Sequence, residues 1–120
     1  MNRDFPTDEE LLAFFESEPL GPAPGEPWFY GTLDFTTVRA DITVRCRLSA
    51  PYGEITTQLT MNGHELAKFE LEGAETIRII TSAHQEALEA TFAPARGLGP
   101  FVLILKPRVW AAWGNVRQFR

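Results

Sequence analysis

The chain has 120 residues, 44% hydrophobic and 22% charged, with a net charge of −5 and one cysteine, Cys46. That length fits a single domain (1–120) able to bury roughly two-thirds of its unfolded surface, and one cysteine excludes an internal disulfide. The acid excess argues against a nucleic-acid binder, which needs basic surface for phosphates.

The charge is unevenly placed. Residues 1–27 hold seven acids and one base, residues 28–95 nine acids and five bases, and residues 96–120 five bases and no acid. The simple reading is that the acidic end solvates a helix. The functional one is an acidic surface that meets a basic partner, with the gain mainly in association rate and specificity. Met1-Asn2-Arg3-Asp4 lacks the basic and apolar pattern of a secretory signal. No apolar run approaches the roughly 20 residues that span a bilayer. The expectation is a soluble, cytoplasmic protein that binds no membrane, and a lone cysteine fits a reducing compartment.

In chain order the first element is a helix over about residues 8–17. Thr7 and Glu10 have capping-box spacing, and Asp8, Glu9 and Glu10 suit the positive end of the helix dipole. Leu11, Leu12, Phe14 and Phe15 supply a packing stripe, and Pro19 stops the helix. So short a helix is marginal alone in water and must dock, most simply on the protein's own sheet. Residues 18–27 carry four prolines and two glycines, which makes an extended connector. The acidic helix and connector thus occupy residues 1–27, and residues 28–120 are an antiparallel β region.

Trp28–Phe35 reads as the first strand. Val38–Leu48 alternates as one long strand, with Val38, Ala40, Ile42, Val44, Cys46 and Leu48 facing the core. Cys46 is therefore a small buried hydrophobe rather than a nucleophile. Ala50-Pro51-Tyr52-Gly53 is a turn. Asn62-Gly63 between two alternating runs is the strongest short hairpin signal, because a type I′ turn needs positive φ at both central residues. Ile55, Thr57, Leu59, Ala67, Phe69 and Leu71 form its inner face. Glu72-Gly73-Ala74-Glu75 looks like the next turn, before a strand over residues 76–81. Residues 82–94 fit a short helix or a strand, and the alternation of Leu88, Ala90 and Phe92 favours a strand at 87–93. Phe101–Leu105 is a continuous apolar run, read as a strand buried on both faces. Lys106-Pro107 interrupts it, and Val109–Trp113 is a last short strand. These elements make a mainly β (α+β) fold. It is an antiparallel meander of seven to eight short strands, forming a curved sheet, sandwich or half-barrel with one N-terminal helix.

The pattern holds no catalytic constellation. His64 follows a turn and His84 lies in one, neither has metal-ligand spacing, and there is no nucleophile or phosphate-loop motif. No catalytic residue, metal or cofactor is expected. Asp34, Asp41, Glu54 and Glu70 read as solvent-facing strand charges. Arg39, Arg45 and Arg47 form a face that binds an anion or pairs with Asp41, Glu54 or Glu70. Consecutive aromatics on a strand point to opposite faces, so Trp28-Phe29-Tyr30 cannot all enter one core. The candidate partner-binding residues are Glu65, Glu70, Glu72 and Glu75 around the hairpin, with Trp28 and Tyr30.

Several segments together resemble small cytoplasmic immunity proteins of bacterial toxin systems. They are the acidic opening Phe5-Pro6-Thr7-Asp8-Glu9-Glu10, the stretch Pro27-Trp28-Phe29-Tyr30-Gly31, the regular hairpins, and Leu103-Ile104-Leu105-Lys106-Pro107 followed by Trp110-Ala111-Ala112-Trp113-Gly114. The resemblance implies a non-enzymatic protein that neutralises a cognate toxin by direct binding, the toxin offering a basic surface. The alternative is a carrier that holds an apolar small molecule in a cavity lined by Trp and Phe.

Overall fold

A computed structural model describes residues 5–21, 31–97 and 99–114. The first element, α1 (Asp8–Phe15), starts at a complete capping box. Thr7 Oγ1 accepts from Glu10 N at 3.1 Å, and Glu10 Oε1 accepts from Thr7 N at 2.9 Å. Two of the helix's orphan donors are thereby satisfied. The helix stops at Phe15, two residues short of expectation, because Glu16 turns left-handed at φ 55°. Leu11, Phe14 and Phe15 are buried while Leu12 faces out, so three of the four expected residues make the packing stripe.

Among the described residues eight strands follow in two antiparallel sheets, each a meander in chain order. The first sheet holds β1 (Thr32–Arg39), β2 (Ile42–Ser49), β3 (Glu54–Met61) and β4 (His64–Leu71). The second holds β5 (Ala74–Thr81), β6 (Glu86–Phe92), β7 (Phe101–Lys106) and β8 (Trp110–Trp113). The mainly β reading with one N-terminal helix is correct, and residues 86–92 are strand rather than helix. Asn62 and Gly63 have φ of 53° and 79° and make the expected two-residue turn. Phe101–Leu105 is buried at every position.

Three expectations need correction. Val38–Leu48 is not one strand: it folds back at Ala40-Asp41, so that Arg39 pairs with Ile42. Val38 then faces solvent at 60% exposure, and Ala40 sits at φ 54° in the turn rather than in the core. Glu72-Gly73 is not a hairpin turn, because β4 and β5 belong to different sheets. The crossing is held by Gly73 N to Tyr52 O at 3.1 Å and Ala74 N to Gly53 O at 3.0 Å. Gly31 is a bend outside the first strand, which takes in Thr32–Arg39. Trp28, Phe29 and Tyr30 lie outside the described residues.

One apolar cluster joins α1 to the inner faces of both sheets, through residues such as Phe35, Val44, Ile55, Ile77, Leu88 and Leu103. Phe15 stacks on Phe35 at 4.4 Å, and Phe69 of β4 meets Phe101 of β7 at 5.2 Å. Each buried large side chain contributes about 1.5–3 kcal/mol, so these rings, more than helix propensity, hold α1 and the sheets together. Beside the cluster, Glu16 accepts from Arg39 of β1 at 2.9 Å and from Lys106 of β7 at 2.5 Å. The Lys106 hydrogen bond holds its carboxyl below the ordinary carboxylate value.

Candidate functional site

Period-two alternation sends the polar half of β1–β4 to the outside of the first sheet. Pairing fixes rows across it. Asp34, Arg47, Thr56 and Glu70 stand side by side, and next to them Thr36, Arg45, Gln58 and Lys68. The face is hollowed in two places. A depression of about 190 Å³ is lined by Arg45, Arg47, Thr56, Gln58, Lys68 and Glu70. A second, of about 400 Å³, is lined by Arg47, Glu54, Thr56, Glu70, Leu71 and Glu72. They share Arg47, Thr56 and Glu70, so they form one trough with a cationic end and an acidic end.

Asp34 anchors the cationic end. Its side chain is only 10% exposed, on the outward side of β1, where Leu20 pairs with its backbone in both directions. Arg45 reaches it with Nε at 3.1 Å and Nη2 at 2.9 Å, and Arg47 adds Nη2 at 3.2 Å. Burying a carboxylate is costly unless it is paired, and two guanidinium groups supply the pairing. The hydrogen bond from Arg45 holds the Asp34 carboxyl below its ordinary value, with Arg47 adding to the effect and burial opposing it. Both arginines stay more than half exposed, at 53% and 57%. Their partner is therefore Asp34, not Asp41, Glu54 or Glu70 as the sequence suggested. Arg39 does not share their face: it turns to Glu16 and to Phe15 O.

The candidate acids are not one cluster. Glu70 lies on the outer face of β4 with Lys68 at 3.5 Å, Glu72 follows in the crossing, and Glu75 is exposed on β5. These three gather where the chain passes between sheets. Glu65 stands at the other end of β4, opposite Thr60, and accepts from Gln58 Nε2 at 2.8 Å. Sequence reasoning missed Asp34 as the anchor and Glu54 as a third acid lining the trough beside Glu70 and Glu72. Strand register was the signal for both. The outer face of the second sheet differs in character. Ile80, Ala87, Ile104 and Trp110 form an apolar row across it, of which Ile80 and Trp110 are exposed.

The residues with reactive side chains stand apart. Cys46 is fully buried against Thr57 Oγ1 at 3.4 Å, and burial pushes its thiol up to about 12. His64 is exposed at the β3–β4 turn and His84 in the β5–β6 turn of the other sheet. Among the described residues no group of three or more His, Cys, Asp or Glu is placed to hold a metal ion, and no helix is long and apolar enough to cross a membrane.

No protein-family model matches the sequence, and neither does any curated protein. A solved structure does match in shape: a chain of a contact-dependent growth inhibition toxin–immunity protein complex from Klebsiella pneumoniae 342. The TM-score is 0.80 over 93% of this chain and 96% of that one, at 18% sequence identity. The chain has the fold of a protein from a toxin–immunity complex. At that identity the likeness is one of fold, and it agrees with the resemblance to immunity proteins read from the sequence.

Proposed function

We propose that this chain is an immunity protein, which binds a cognate toxin directly and neutralises it. The observation that carries the proposal is the fold shared, over nearly its whole length, with a chain of a toxin–immunity complex. Of the two members of such a complex, the immunity protein is the one that needs no chemistry of its own. A buried thiol near 12 and two exposed histidines on different sheets favour that member. So does a net charge of −5, since a toxin acting on nucleic acid needs basic surface. A reduced Cys46 suits the cytoplasm, where such a protein would meet an incoming toxin.

The docking surface we propose is the trough on β2–β4. Its acidic end, with Glu54, Glu70 and Glu72 and with Glu75 beside it, offers the charge that a basic toxin surface complements. Glu65 stands at the far rim of the same sheet, and Trp28 and Tyr30 are candidate aromatic contacts. Expressing the polypeptide encoded beside this chain's gene, alone and together with this chain, tests the role. Growth should stop in the first case and resume in the second. Arrest that this chain does not relieve would count against an immunity function.

A further inference from the structure

Acids that steer a basic partner explain only half of the trough. The other half holds three cations, Arg45, Arg47 and Lys68, around the smaller hollow. With Asp34 and Glu70 as the acids in contact with them, this end keeps one positive charge in excess, in a protein whose net charge is −5. The two guanidinium groups are held before anything binds. Asp34 takes two of the five N–H donors of Arg45 and one of Arg47, and both side chains line the hollow. Fixing rotamer-rich side chains in advance lowers the ordering cost of association. A guanidinium fork matches a carboxylate in geometry as well as charge. A phosphate backbone fits this place less well, because Glu54, Glu70 and Glu72 run along the same trough and would repel it.

We propose that Arg45, Arg47 and Lys68, held in place by Asp34, form a receptor for an Asp or Glu side chain of the toxin. This rests on the immunity reading and divides the labour of the trough. Glu72 and Glu75 at the rim speed encounter, whereas the carboxylate seated among the three cations slows release. Rim charges act mainly on association, and a desolvated charge pair acts on dissociation. Lys68 is the adjustable member: its contact with Glu70, at 3.5 Å, is long, so its ammonium can turn to a second carboxylate.

The probe is the toxin domain encoded beside this chain, bound to the immobilised protein in surface-plasmon measurements. Arg47→Gln and Lys68→Gln should each raise the dissociation rate by about tenfold or more, with association little changed. Lys68→Gln should keep the thermal midpoint, whereas Arg47→Gln, which takes one bond from Asp34, lowers it slightly. A second measurement uses the unsubstituted proteins. Carbodiimide activates a carboxylate, the Lys68 amine attacks it, and an amide forms as the urea by-product leaves. Mass spectrometry of the coupled complex should find Lys68 joined to a toxin Asp or Glu. If the wild-type chain binds the toxin, but both variants dissociate at its rate and Lys68 joins no toxin residue, the carboxylate receptor is wrong while the immunity role stands. If the wild-type chain does not bind the toxin, the immunity role falls and the receptor falls with it.

Discussion

Asp34 on β1 and Arg45 on β2 are diagonal neighbours, yet they make the two-pronged contact, with Nε at 3.1 Å and Nη2 at 2.9 Å. Arg47, which stands directly opposite Asp34, adds a single bond at 3.2 Å. These bonds tie the two arginines of the trough, on β2, to the edge strand β1.

Asp34→Asn should therefore lower stability near neutral pH by on the order of 1 kcal/mol, since a charge-assisted contact becomes a neutral one next to half-exposed arginines. The sign of the pH dependence follows from the depressed carboxyl value. The stabilisation is present above the unfolded pKa of about 3.9 and is lost as pH falls through the lower folded value. Thermal midpoints of wild type and Asp34→Asn, measured from neutral to acid pH, should converge as the pH drops. Parallel curves would show that Asp34 contributes nothing through its charge.

The two-residue turns of the first sheet, Ala40-Asp41 and Asn62-Gly63, should respond differently to substitution. Gly63 has φ 79°, and a Cβ there meets nothing within 4 Å, so Gly63→Val costs backbone strain alone, about 1–3 kcal/mol. Ala40 already bears such strain at φ 54°. Ala40→Gly should therefore be neutral or stabilising by up to about 1 kcal/mol, the strain relief of about 1–2 kcal/mol being partly offset by added freedom in the unfolded chain. Denaturant midpoints for the two variants measure this. Loss of stability in Ala40→Gly would contradict the strained turn.

Cys46 should be inert while the protein is folded. Burial removes it from reagent and raises its thiol to about 12, leaving almost no thiolate near neutral pH. A colourimetric disulfide reagent should label it only as fast as the chain unfolds, and Cys46→Ala should leave toxin neutralisation intact. Immediate labelling in the native state would overturn its burial in the core.

Glu72→Lys with Glu75→Lys should slow toxin association several-fold while dissociation changes less, and the wild-type on-rate should fall as salt rises toward physiological strength. Glu70 is left in place because Lys68 contacts it. The same reversal at Asp8 and Glu9 is the control, for those acids sit in the first turn of α1, where the helix dipole accounts for them. If the helix pair slows association and the crossing pair does not, the interface lies on α1.

Local signals were strong where chemistry restricts the backbone. Thr7 and Glu10 announce a capping box, and Asn62-Gly63 announces a turn, because few residues tolerate those geometries. The Ala40-Asp41 turn was hidden for the same reason: alanine rarely adopts a positive φ, and the apolar Val38 and Ala40 extend the alternation of β2 without a visible break. That single miss concealed the anchor of the trough. Without the turn Asp34 has no register with Arg47, so Asp34 looks like a solvent-facing charge and the arginines look free to pair with Asp41. Glu72-Gly73 carries an ordinary turn signal, and only tertiary bonds to Tyr52 and Gly53 make it a passage between sheets.

The most direct measurement is a titration of the purified toxin domain with the purified chain, read out on the toxin's own reaction. Activity should fall in proportion to the chain added and vanish near one equivalent, with the two proteins eluting as one complex. A toxin that keeps its full activity in the presence of excess folded chain would contradict the immunity role.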